Sequence, residues 1–188
     1  MRKIVIVGNG PSVLDETKGS LIDSYDVVIR INDYQTKGFE EHVGTKTDVW
    51  ALETKTLSRW EEFKDRFDIP ELWLLISNCF SESIEPVMKL AKSLREDMFI
   101  SPIAKAHELR NKIAAHPSTG AYTIYTAMHQ FHDPIHIIGF DHWQYEPKKE
   151  ELNALGSYMA PWEELKHNAE KEKIWVDRLI EGGRLQRI

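Results

Sequence analysis

Two short loops carry the residue types from which a phosphate or carboxylate site is built: Gly8-Asn9-Gly10-Pro11-Ser12 and His116-Pro117-Ser118-Thr119-Gly120. In the first, glycines directly after an apolar run let the backbone turn sharply and approach a ligand without Cβ obstruction. In the second, Pro117 fixes the entry, a Ser or Thr hydroxyl caps a helix, and Gly120 allows close approach. The unpaired N–H groups and the dipole of that helix make a positive pocket for an anion. Each loop also has a plain structural reading, a tight turn for one and an ordinary N-cap for the other. Their joint presence points to two walls of one site.

The first loop meets only part of the dinucleotide fingerprint G-x-G-x-x-G, because Val13 stands where the third glycine relieves helix–strand crowding. Asp33 lies near the distance expected of a ribose-binding carboxylate, which keeps an NAD reading open. Arg30 and Asn32 end a second apolar run and, on a strand, point to the same side. The Asn32 amide both donates and accepts, which suits a base or phosphate oxygen; a satisfied strand terminus is the alternative.

The elements that must position these residues alternate between strand and helix. Lys3–Val7, Asp26–Ile31, Thr47–Leu52, Leu72–Ser77, Met98–Ile100 and Ile135–Phe140 read as buried strands. Ile84–Leu94, Ala104–Ala114 and Thr119–Phe131 show helical spacing, and a last helix runs from about Pro161 to Glu181, closed by Gly182-Gly183. Gln144–Ala160 reads as a polar loop, with Trp143, Tyr145, Tyr158 and Trp162 around it as a lid over a sugar or as core packing. The pattern predicts one α/β domain over 1–188, Rossmann-like, with a mostly parallel sheet covered by helices on both faces. Ligands of such sheets bind outside the carboxyl ends of the strands, so residues just after strands carry the interest.

Composition narrows the function. The 188 residues carry 30 acidic side chains against 24 Lys and Arg, a net charge of −6. Without clustered Lys and Arg, neither a nucleic-acid partner nor a polybasic membrane contact is expected. No apolar stretch approaches the roughly 18 residues of a transmembrane helix. The lone Cys79 excludes an internal disulfide, so the chain is expected to be cytoplasmic and reduced.

The ordered set of segments resembles glycosyltransferase family 29. Val7-Gly8-Asn9-Gly10-Pro11-Ser12, Asp23 to Asn32 and Val43-Gly44-Thr45-Lys46-Thr47 look like its long sialylmotif. His116-Pro117-Ser118-Thr119-Gly120 followed by Ile137-Ile138-Gly139-Phe140-Asp141 resembles the short one. His142-Trp143-Gln144-Tyr145 falls where the third motif does, and His167-x-x-x-x-Glu172 is similar to the very short motif. The bacterial CMP-sialic acid transferases of family 42 share the Gly-Asn-Gly-Pro-Ser start. The resemblance implies a glycosyltransferase A-like variant of the fold and a CMP-sugar donor, CMP-Kdo or CMP-sialic acid. It places Asn9 and Asn32 on the cytidine monophosphate, Ser118, Thr119 and Gly120 on the donor's carboxylate or phosphate, and Gly139, Phe140 and Asp141 beside the nucleoside. His142 would face the leaving phosphate and His167 would be the base. Animal members join the two sialylmotifs by a disulfide and carry a membrane anchor and stem, features not expected here.

The chemistry fits these residue types. A histidine titrates near neutrality, as a base for an acceptor hydroxyl should. Asp-x-Asp, the usual metal signature of sugar-nucleotide enzymes, is absent from the chain, and a monophosphate leaving group has less charge to neutralise than a diphosphate; no metal or other cofactor is expected. Glu172 is a second clue. If Leu165–Ile180 is one helix, Glu172 lies on its apolar stripe with Ala169, Val176 and Leu179, where a carboxylate needs a partner. His167 lies nearly opposite that stripe, so the two meet at one site only if the helix starts or bends near His167. Only the motif spacing distinguishes His167 from His107, His129, His132 and His136.

The expected function is metal-independent, inverting transfer of sialic acid or Kdo from a CMP donor to a glycan acceptor. A CMP-sugar hydrolase, a non-catalytic nucleotide-binding module and, disfavoured by Val13, an NAD-dependent oxidoreductase are the alternatives.

Overall fold

The structure is a computed structural model that describes residues 2–62, 69–76, 84–142 and 167–188. Seven strands form one all-parallel sheet in the order β5-β4-β3-β2-β1-β6-β7. They are β1 (Ile4–Val7), β2 (Val27–Ile31), β3 (Val49–Glu53), β4 (Glu71–Leu75), β5 (Phe99–Ser101), β6 (Ile135–Ile138) and β7 (Leu185–Arg187). Their central members are apolar on both faces, as a doubly covered sheet demands. Ile4, Ile6, Ile29, Ile31, Ile135 and Ile137 face one core with α5 (Ile103–Ile113), α6 (Thr119–Gln130) and α7 (Ala169–Glu181). Val5, Val7 and Val28 face the other side, toward α1 (Gly19–Asp23) and α2 (Glu40–Val43). On that same side Trp50, Leu52, Leu72 and Leu74 pack toward α3 (Thr54–Ser58) and α4 (Ile84–Leu94).

The chain winds outward from β1 through β5 on one side, then returns to lay β6 and β7 on the other side of β1. The direction of winding therefore reverses between β1 and β6, and a crevice opens there at the carboxyl ends of the strands. The loops that leave β1 and β6, residues 8–12 and 139–142, flank that crevice.

Several expected boundaries shift. The final strand stops at Ile138 rather than Phe140, because Gly139 takes a left-handed φ of +71° and ends the ladder. Asn32 lies one residue beyond β2 with φ +49°, so strand alternation does not reach it. Arg30 turns into the interior and is 1% exposed. Its guanidinium donates to the Val43 carbonyl at 2.7 Å, and to the Lys46 carbonyl and Thr47 Oγ1 at 3.0 Å each. Asp23 accepts from the Thr45 and Lys46 amides of the same loop. The segment Val43–Thr47 is thus held as structure by two charged side chains. Strand β7 follows Gly182-Gly183 and was not foreseen. Ser77, Cys79, the loop Gln144–Ala160 with Trp143, Tyr145, Tyr158 and Trp162, and the expected helical residues 161–166 lie outside the described residues.

Candidate active site

The first wall is the β1 loop, and its glycines serve loop-to-loop contact. A Cβ on Gly8 would stand 2.3 Å from the Gly139 carbonyl oxygen, and one on Gly10 2.6 Å from the same atom. Neither distance is possible for real atoms, so only glycine lets residues 8–10 lie against residues 139–141. The Gly8 amide donates to the Ile138 carbonyl at 2.8 Å and the Gly10 amide to the Gly139 carbonyl at 2.9 Å. Asp141 closes the contact: one carboxylate oxygen accepts from the Ser12 amide at 2.9 Å and the other from the Ser12 hydroxyl. Ser12 and Asp141, both expected on the ligand, also bond each other and so fix the spacing of the two loops. Pro11–Leu14 is a single 3-10 turn, in which Val13 is buried and packs beside Gly139. No long helix starts here, so the third glycine of a dinucleotide fingerprint has no counterpart.

Asn9 and Asn32 border the crevice on the β2 side. The Asn9 amide nitrogen donates to the Ile31 carbonyl at 3.1 Å. Asn32 accepts at Oδ1 from the Glu53 amide and the Thr56 hydroxyl, both at 3.1 Å, which orients its amide nitrogen outward as a donor. Positive φ costs a non-glycine residue about 1–2 kcal/mol, least for Asn. Among the described residues, the non-glycine ones in that conformation are Asn32, Ala114 and His142, all outside helices and strands.

The second wall is the amino end of α6. Ser118 caps it, its hydroxyl accepting from the Ala121 amide at 3.1 Å. Gly120 faces Phe140, where a Cβ would stand 3.0 Å from ring atom Cε1, so this wall touches the β6 loop. The Ser118 amide is already taken by a carboxyl group of the protein itself. Glu172 accepts from that amide at 2.6 Å and from the Ser118 hydroxyl at 2.7 Å. The amides of Thr119 and Gly120 have no hydrogen-bond partner among the described residues. They remain as first-turn donors for an external phosphate or carboxylate.

Glu172 is 2% exposed. Burial pushes its carboxyl up to about 7, against the lowering pull of the Ser118 hydrogen bonds. The anticipated conflict with His167 is resolved by where α7 begins. Asn168 is the N-cap, its side chain accepting from the Lys171 amide at 2.9 Å, so His167 precedes the helix and is free of its periodicity. His167 instead pairs as a parallel bridge with His116. Its Nδ1 lies 2.9 Å from the His116 carbonyl oxygen. A carbonyl only accepts, so Nδ1 is the donor in this contact, and in the neutral ring the lone pair sits on Nε2.

His142 closes the ring of loops. It is 9% exposed, and burial first, then the nearby Arg187 cation, push its imidazolium down to about 4. Arg187 Nη2 lies 3.4 Å from His142 Nε2, and Nη1 donates to the Phe140 carbonyl at 3.2 Å. Arg187 was missed in the sequence because β7 is too short to show alternation. Among the described residues, no three His, Cys, Asp or Glu side chains group to hold a metal, and no helix is long and apolar enough to cross a membrane.

The loops after β1 and β6, the amino end of α6 and the start of α7 are therefore joined in a chain of contacts. The β1 loop meets the β6 loop, Phe140 meets Gly120, Ser118 meets Glu172, and His116 meets His167. This is a parallel α/β domain whose loop-built site sits at the switch point and places a histidine beside a helix amino end. The chain belongs to glycosyltransferase family 29 (sialyltransferase), whose family model matches residues 1–183. It is 23% identical over 214 residues to mouse CMP-N-acetylneuraminate-beta-galactosamide-alpha-2,3-sialyltransferase 4, covering 100% of this chain and 64% of that protein's length. Its fold is similar to that of the monofunctional alpha-2,3-sialyltransferase Cst-I from Campylobacter jejuni, with TM-score 0.71 at 15% identity over 100% of this chain and 75% of the other. Sialyltransferase CstII from the same organism, solved with the substrate analogue CMP-3FNeuAc, matches with TM-score 0.65 at 16% identity over 100% and 81% of the two chains.

Proposed function

We propose that this chain transfers a sialic acid or Kdo residue from a CMP-activated donor to a glycan acceptor by one inverting displacement. The observation that carries the reading is His167, oriented through Nδ1 on the His116 carbonyl, near an α6 amino end whose Thr119 and Gly120 amides have no partner among the described residues. His167 takes the acceptor hydroxyl proton, the oxygen attacks the anomeric carbon, and the bond to the phosphate breaks with its electron pair leaving on CMP. Thr119 and Gly120 hold the donor's phosphate or carboxylate, Asn9 and Asn32 contact the nucleotide, and His142 with Arg187 supports the developing charge on the leaving phosphate. Glu172 is a positioning residue that acts through Ser118. The matched mouse protein and the CstII complex, by their names, use CMP-linked sialic acid or its analogue, which supports CMP as the ligand here. The lone cysteine supports a reduced, cytoplasmic setting for the activity.

Thermal-shift titration with CMP, CDP, UDP and NAD tests the reading, because a ligand bound only by the native state raises the melting temperature. CMP is expected to stabilise selectively. Stabilisation by NAD alone would replace the transferase reading with an oxidoreductase one.

A further inference from the structure

Next to His167, on the side facing α5, lies a cleft of about 590 Å³. Arg110 and Asn111 from the last turn of α5, His116, His167, Asn168 and Lys171 line it with two alanines, and no acidic residue among the described ones does. A wall of two permanent cations, two imidazoles and two amides is unexpected on a chain whose net charge is −6. The Lys171 ammonium donates to the Ala114 carbonyl at 2.9 Å, which holds it at the rim with two further N–H donors. Arg110 has no hydrogen-bond or salt-bridge partner among the described residues, unlike Arg59, Arg95 and Arg187, which face carboxylates. Ala114, between the two cations in the chain, holds φ +50°, a strained turn that folds the end of α5 toward α7. A guanidinium without a partner among the described residues, in a concave wall to which they add no carboxylate, is the arrangement that binds a planar anion through paired hydrogen bonds.

We propose that this cleft is the acceptor subsite and that it selects an acceptor sugar bearing a carboxylate, held by Arg110 and Lys171. The proposal rests on the transferase reading, since His167 lines both the cleft and the donor side. An acidic group seated on Arg110 places a neighbouring hydroxyl of the same sugar against His167 Nε2. The overall negative charge then disfavours acidic molecules elsewhere on the surface and leaves this wall as their landing place.

Histidine-ring NMR on the CMP-saturated protein tests it with galacturonate, galactose and inorganic phosphate as probes. Galacturonate is expected to move the His116 and His167 ring signals at about ten-fold lower concentration than galactose. Arg110→Gln is expected to erase that preference, while CMP affinity and the slow hydrolysis of donor without acceptor stay unchanged. Lys171→Gln is a second variant, expected to weaken the preference even if the tie to Ala114 is also lost. In turnover, Arg110→Gln is expected to raise KM for an acidic acceptor while leaving kcat near its original value. Equal response to galacturonate and galactose, a preference that survives in Arg110→Gln, or a response to phosphate alone would each overturn the proposal. Loss of CMP binding in the unsubstituted protein would instead sink the transferase reading. The dependence of the galacturonate shifts on Arg110 would still be measurable in that case.

Discussion

Replacing Glu172 separates its charge from its contacts. Glu172→Gln keeps an acceptor for the Ser118 amide and turns the other contact into an N–H donation to the Ser118 hydroxyl oxygen, so both hydrogen bonds at 2.6 and 2.7 Å have replacements. Glu172→Ala removes both, leaves the Ser118 amide without a partner beside a new void, and is expected to cost about 2–4 kcal/mol. The pH dependence gives the sharper test. The carboxyl rises from 4.5 to about 7 on folding, so between those values the native state holds a proton that the unfolded chain has released. Its contribution to stability is fully present below pH 4.5 and is lost as pH rises toward about 7. The loss is about 3 kcal/mol at most if the full difference is expressed. Urea denaturation from about pH 4 to about pH 9 should show Glu172→Gln overtaking the native protein as pH rises, with the gap widening and then levelling above neutrality. A difference between the two proteins that stays constant within about 0.5 kcal/mol across that range would refute a desolvated, titrating Glu172.

Other consequences follow from the same contacts. Gly8→Ala would drive a Cβ to 2.3 Å from the Gly139 carbonyl, so it should cost more than about 3 kcal/mol or prevent folding. Gly38→Ala, with open space around it but φ +87°, should cost only about 1 kcal/mol in the same urea titration. Ring titration by NMR should show His142 neutral throughout from about pH 5 to about pH 8, since burial and Arg187 hold it near 4; a midpoint near 6.5 would contradict that placement.

Much of the architecture was legible because buried parallel strands are written as unbroken Val, Ile and Leu runs, and Ile4–Val7, Val27–Ile31 and Ile135–Ile138 are of that kind. Strand β7 escaped because Leu185-Gln186-Arg187 holds one buried residue in an edge position. Glu172 announced itself as a carboxylate on an apolar stripe, and its partner proved to be the cap of another helix 54 residues earlier in the chain. The tie between Ser12 and Asp141 spans 129 positions and leaves no local trace, so the sequence shows neither residue as the other's partner. Asn32 misled for a different reason. The left-handed turn at its own position breaks the alternation from which its direction was inferred.

The central claim is that CMP-sugar chemistry runs through His167. The direct measurement is CMP release from CMP-sialic acid and CMP-Kdo, with and without glycan acceptors, by the native protein and by His167→Ala, alongside CMP affinity for both. Loss of turnover by about 100-fold or more in His167→Ala, with CMP affinity unchanged, is the expected result. Undiminished turnover in that variant, or no turnover of either donor by a native protein that binds CMP, would contradict it.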